Sequence, residues 1–138
     1  MKNIFKRIVV LFVLCCFCAC VLTSCGEEGK LKSYVEDFFE AIEEGDYAKA
    51  ESYVHPTREL DSKAYFNGIE AKSGADFQKG IEIEKYISIE HSDYSKEVIG
   101  SMDIITVRTR VSGVIIRFEI KIVKNAYGYG IYNLKTVK

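Results

Sequence analysis

Apolar residues in this chain recur with one period before position 80 and with another after it, and that switch restricts the fold more than any other feature. Leu31, Val35, Phe38 and Ile42 follow one another at helical spacing, so they form a single stripe on an amphipathic helix. Gly45 supplies a stop for that helix. Asp46, directly after it, is an N-cap for a short second helix carrying Tyr47, Ala50 and Tyr53 or Val54. His55-Pro56 ends the second helix, because the residue before proline avoids helical backbone angles. A third helical stretch is expected around Arg58 to Asn67, with the glycines at 68, 74 and 80 breaking up the chain beyond it.

After Gly80 the period is two. Ile81, Ile83, Ile87 and Ile89 are expected on one face and Glu82, Glu84, Ser88 and Glu90 on the other, with Lys85 and Tyr86 as exceptions. Met102 to Val111 and Val114 to Lys124 read as strands joined by a Ser112-Gly113 turn. Pairing Val111 with Val114 sets Val107 opposite Phe118 and Ile105 opposite Ile120, apolar against apolar. It also sets Arg108 opposite Arg117 on the outer face, an unfavourable pair unless Glu119, diagonal to Arg108, or solvent relieves it. A turn at 125–128 leads into a last strand from Tyr129 to Val137. The sum is an α+β domain, two or three N-terminal helices packed on one face of a curved antiparallel sheet of about four strands.

Residues 1–24 stand apart from this pattern. Lys2, Lys6 and Arg7 precede the uncharged apolar run Ile8 to Leu22, which is shorter than the roughly 20 residues a membrane-spanning helix needs. A basic stretch, an apolar stretch and small residues at a cut site make a signal peptide. Its end, Leu22-Thr23-Ser24-Cys25, resembles the lipobox of bacterial lipoproteins. The resemblance implies cleavage between Ser24 and Cys25, a diacylglycerol on the Cys25 thiol, and attachment to the cell envelope after secretion across the cytoplasmic membrane. Two acyl chains suffice for stable anchoring where one is marginal. Residues 25–30 then form a short glycine-flanked tether and 31–138 the domain. Cys15, Cys16, Cys18 and Cys20 leave with the signal peptide, so a mature chain holds Cys25 alone, with no disulfide framework and no cysteine-based metal site.

Cleavage also changes the charge. Loss of Lys2, Lys6 and Arg7 takes the basic count from 19 to 16 against 20 acidic residues, a formal charge of −4, which disfavours a nucleic-acid partner. The acids crowd the first helix, and Arg108, Arg110, Arg117, Lys121 and Lys124 crowd the later strands.

The run Phe38 to Ala50, with Gly45-Asp46-Tyr47 at its centre, resembles the opening of the nuclear-transport-factor-2-like (cystatin-like) superfamily. Tyr127 to Leu134 is similar to that family's last strand, Tyr129 standing near where the family usually carries tryptophan. The resemblance implies a cone-shaped α+β fold and pairing of two copies through the outer sheet face. It also implies that an enzyme of this kind would need an acid or base inside the cone. His55, His91 and Asp103 are the polar candidates, Asp103 and His91 by strand parity and His55 at a helix exit. No nucleophile elbow, phosphate loop or His-Glu-x-x-His pair is present, and two histidines are too few for a metal site, so no cofactor or metal is expected. Phe38, Phe39, Tyr53, Phe66, Phe77, Tyr86, Phe118, Tyr129 and Tyr132 are candidates to line an apolar pocket or to fill the core. Three readings are open: a non-enzymatic lipoprotein that binds a protein or envelope component, a carrier of a small apolar ligand, and an isomerase-like or dehydratase-like enzyme.

Overall fold

The computed structural model describes residues 26–138; residues 1–25, which hold the signal-peptide and lipidation expectations, lie outside the described residues. Helix α1 spans Gly26–Glu43, α2 Tyr47–Glu51 and α3 Ser62–Ser73, and a 3-10 turn at Phe77–Lys79 comes next. Strands β1 (Ile81–Ser95), β2 (Gly100–Val111), β3 (Val114–Asn125) and β4 (Gly128–Val137) form one antiparallel sheet in sequence order. The sheet is curved and does not close, so the fold is α+β with the helices before the strands. The compact unit runs from Tyr34 to Lys138. Residues 26–30, expected as a tether, are helical and begin α1 five residues ahead of the apolar stripe.

The helices start and stop where local chemistry dictates. Gly45 takes φ +71°, its N–H donates to Ile42 O and that of Asp46 to Ala41 O, which together satisfy the last carbonyls of α1. Asp46 caps α2 by accepting from Lys49 N at 3.0 Å, and Asp61 caps α3 by accepting from Ala64 N at 2.9 Å. α2 ends at Glu51, short of Tyr53 and of the His55-Pro56 stop. The third helix lies later than Arg58 to Asn67, running through Gly68 to the left-handed Gly74.

Tyr53, Val54 and His55 leave the helix because β4 takes them. His55 N donates to Ile131 O and Ile131 N to Tyr53 O, both at 2.8 Å, a parallel bridge that covers part of the outer edge of β4. Gly130 permits this approach: a Cβ there would lie 2.6 Å from His55 N and 2.8 Å from Tyr53 O, both backbone atoms.

The β2–β3 register is the one the apolar pattern predicts, with Val111 opposite Val114, Val107 opposite Phe118 and Ile105 opposite Ile120. Ser112 and Gly113 both have positive φ, +50° and +78°, as the twist of a two-residue hairpin requires. β1 departs from simple alternation. Its register against β2 shifts between Ile83 and Lys85 and again between Tyr86 and Ser88. Each bulge adds one residue and reverses parity. Ile81, Ile83, Tyr86, Ile89 and His91 therefore lie opposite the inward residues Val111, Thr109, Val107, Ile105 and Asp103. Tyr86 is thus no exception to the inner face, whereas Ile87 is turned out and 44% exposed.

The bulge also settles the arginines. Glu84, displaced outward, lies 3.0 Å from Arg108 Nε and 2.6 Å from Arg110 Nε, relieving the Arg108–Arg117 pair. Glu119 binds Lys135 instead, at 2.8 Å.

The core sits between the inner sheet face and the helices. Phe118 of β3 has its ring centroid 5.3 Å from Phe39, 6.0 Å from Phe66 and 6.4 Å from Phe77, and Phe66 meets Phe38 at 6.1 Å and Phe77 at 4.8 Å. All these rings are buried. Truncating Phe118 to alanine is expected to lower unfolding free energy by about 3–5 kcal/mol. Gly130→Ala is expected to cost about 1–3 kcal/mol by pushing the 53–55 segment off β4; urea titrations of both variants read these losses.

Candidate functional site

The polar candidates separate into two places. His91 and Asp103 face each other across β1 and β2 as direct partners, and their side chains meet with His91 Nδ1 2.7 Å from Asp103 Oδ1. The other ring nitrogen, Nε2, lies 2.8 Å from Asp93 Oδ1. His55 stands elsewhere, fully buried, and so is not a surface residue of a helix exit.

The His55 environment is that of a structural clamp. Thr57 N donates to Nδ1 at 3.2 Å, and Thr57 Oγ1 lies 2.8 Å from the same atom. Nδ1 is then an acceptor, which leaves the proton on Nε2, 3.1 Å from Asn125 Oδ1. Asn125 also accepts from Tyr127 N at 2.9 Å and donates through Nδ2 to Val98 O at 2.9 Å. One buried imidazole and one amide therefore tie together the bridge segment, the β3–β4 turn and the β1–β2 tip.

The His91 environment is ionic. Both nitrogens face carboxylate oxygens, which accept only, so the ring satisfies both contacts as the imidazolium. The hydrogen bond to Asp103 first, and that to Asp93 second, raise the His91 pKa above its ordinary value. A ring held in this way donates both of its N–H groups to carboxylates. Asp103 is the shielded partner, its side chain only 14% exposed against 50% for His91.

Tyr129 stands near that carboxylate. Burial chiefly, and the Asp103 charge in addition, push its phenol upward. Its ring lies 5.0 Å from Tyr34, which lies 5.0 Å from Tyr53, both edge to face. Tyr34 donates its hydroxyl to Tyr53 O at 2.7 Å. Burial, then the neighbouring Tyr129 and Tyr53, keep the Tyr34 phenol protonated, as that donation requires. Tyr34 escaped the sequence reading because it flanks the apolar stripe of α1, although its place one residue before Val35 was the available signal.

The aromatic candidates divide in the same manner. Phe38, Phe39, Phe66 and Phe118, with Phe77, are packed against one another in the core. Tyr53 and Tyr129 belong to the tyrosine cluster at the opposite end of the strands from the Ser112-Gly113 turn. Tyr132 packs beside His55 and under the Arg58 guanidinium, 4.4 Å from the ring centroid. Tyr86 donates to Glu36 Oε1 at 3.0 Å, across to α1.

An open groove of about 490 Å³ lies along the start of β1, lined by Glu43, Lys79, Ile81, Glu82, Arg110 and Ser112. A neighbouring groove of about 230 Å³ runs beside α1, with Glu36, Glu40 and Glu43 among its walls. Charged side chains make up half of each lining, with Ile81 the apolar member of the first and Phe39, Ile81 and Ile83 those of the second. Among the described residues no group of three His, Cys, Asp or Glu side chains is placed to hold a metal ion.

Comparison of the chain with protein-family models, with curated proteins and with solved structures finds no match. The functional reading therefore rests on the residues themselves.

The ionic site predicts a pH dependence with a definite sign. A histidine whose pKa is raised by folding stabilises the fold fully below its unfolded value, 6.5, and that contribution is lost as pH rises through the raised folded value. The stability difference between the native chain and His91→Gln is expected to be larger at about pH 6 than at about pH 9, read by urea unfolding at each pH. A difference that stays constant or grows with pH contradicts the imidazolium assignment.

Proposed function

We propose that this chain is a lipoprotein anchored to the cell envelope through Cys25, carrying a nuclear-transport-factor-2-like domain that binds a protein or envelope component through its surface without catalysis. The observation that carries the binding part is the packed interior. Rings from α1, α3, the 3-10 turn and β3 pack against one another on the inner sheet face, which supports a filled interior over an open cone. The doubly bound His91 supports the same reading, since the one exposed imidazole has no free nitrogen while both carboxylates hold it.

The order of elements supports the family part of the proposal. A first helix ending at Gly45, a second opening on Asp46 and Tyr47, and a four-stranded antiparallel meander match the arrangement that the resemblance implies. The anchor part rests on the basic and apolar stretches and on Leu22-Thr23-Ser24-Cys25. Among the described residues no helix is long and apolar enough to cross a membrane.

Expression of the full chain in a bacterium with labelled palmitate tests the anchor. The expected product lacks Met1–Ser24, carries a diacylglyceryl group on Cys25 and sediments with membranes; Cys25→Ala abolishes the label and leaves the chain uncut. An unlabelled native chain that keeps its first 24 residues refutes it. Native mass spectrometry of the mature chain tests the binding part, with the bare protein mass expected. A retained apolar molecule would favour the carrier reading instead.

A further inference from the structure

The large apolar side chains left in solvent are unevenly distributed. Tyr127, Ile99 and Tyr94 are the most exposed, at 71%, 69% and 62%, and all three stand at one end of the sheet. Tyr94 and Ile99 belong to the β1–β2 tip, where Ser95 pairs with Gly100, and Tyr127 belongs to the β3–β4 turn. Asn125 holds the two together, donating to Val98 O and accepting from Tyr127 N. The side chains of Ile87 and Ile115, by contrast, stand elsewhere on the sheet and are less exposed.

Ile99 adds a second observation. Its φ is +51°, a left-handed conformation that is strained for a β-branched residue, and its side chain gains little burial in return. A glycine or asparagine would hold the same turn at lower cost, so the isoleucine is accounted for by a contact outside the chain.

The covalent path indicates what that contact is. Tyr129, two residues after Tyr127, meets Tyr34 ring to ring. Only residues 26–33 separate Tyr34 from Cys25. Whatever path they take, they span at most roughly 30 Å. A bilayer holding Cys25 is therefore never farther than that from the end of the domain that carries the three exposed side chains. Tyrosine, apolar in body and polar at its tip, favours the membrane–water interface.

We propose that this end of the domain docks on the lipid bilayer, with Tyr94, Ile99 and Tyr127 entering the head-group layer beside the anchor. The inference rests on the lipid anchor at Cys25 proposed above. The charged groups facing this end are Lys96, Lys121 and Lys124 with the His91 imidazolium against Asp93, Glu97 and Asp103, Lys121 being paired with Glu97 and His91 with both aspartates, so a slight positive excess is left and neutral lipid suffices for docking.

The chain has no tryptophan, so a single introduced indole reports on one position. The full-length lipidated chain is placed in phosphatidylcholine vesicles whose acyl chains are brominated close to the head group, as Tyr127→Trp and, for comparison, as Ile115→Trp beside the Ser112-Gly113 turn at the other end of the strands. Mass spectrometry first establishes the diacylglyceryl group on Cys25. The Tyr127→Trp indole is expected to emit further to the blue and to be quenched about threefold or more over the Ile115→Trp indole, as a side chain in the head-group layer would be. Equal quenching of the two in lipidated protein overturns the docking and leaves the anchor standing. Absence of the diacylglyceryl mass overturns the anchor and the docking with it. A blue shift that grows with protein density and is indifferent to bromine assigns the patch to a second copy of the chain and likewise overturns the docking. Should Tyr127→Trp lose the native circular dichroism, Tyr94→Trp makes the same measurement from the neighbouring tip.

Discussion

Phe118 is the contact on which the rest of the fold depends. It lies at the middle of β3, and the rings packed on it come from α1, α3 and the 3-10 turn, parts of the chain that share no backbone hydrogen-bond ladder with β3. Burying large apolar rings is the dominant favourable term in a domain of this size, and edge-to-face and tilted geometry adds to it.

The two ends of the sheet are built differently. At one, Ser112 and Gly113 close the β2–β3 hairpin tightly with left-handed backbone. At the other, Asn125, itself bound to His55, joins the β1–β2 tip to the β3–β4 turn, and the imidazolium of His91 between Asp93 and Asp103 ties β1 to β2. Both sheet edges are irregular as well, β4 being partly covered by the segment at Tyr53 to His55 and β1 being bent by the bulges in its pairing with β2. The polar end is the one with exposed apolar tips, and the clamps beneath are what keep those tips in a defined arrangement.

Local signals in the sequence were legible for physical reasons. The Gly45 stop, the Asp46 cap and the Ser112-Gly113 hairpin each depend on a few neighbouring residues, and the β2–β3 register depends on apolar parity across a short turn. The candidate site was legible only in part. Asp103 and His91 were placed on the inner face by parity, and they do meet. For His91 the parity held because the two bulges of β1 cancel; between them the alternation is reversed, which is why Tyr86 points inward and Ile87 outward. The burial of His55 was not legible, because its hydrogen-bond partner Asn125 is 70 positions away.

By itself the sequence determined the order of elements, the Gly45 stop, the Asp46 cap and the hairpin register, since each of these comes from spacing or from residues in contact along the chain. Only the tertiary structure decided that the phenylalanines form one cluster, that Glu84 rather than Glu119 relieves the arginines, and that Tyr34, Tyr129 and the exposed tips share one end. Those outcomes turn on bulges and on contacts between distant segments, and a bulge is a compromise between two strands that neither strand's own sequence records.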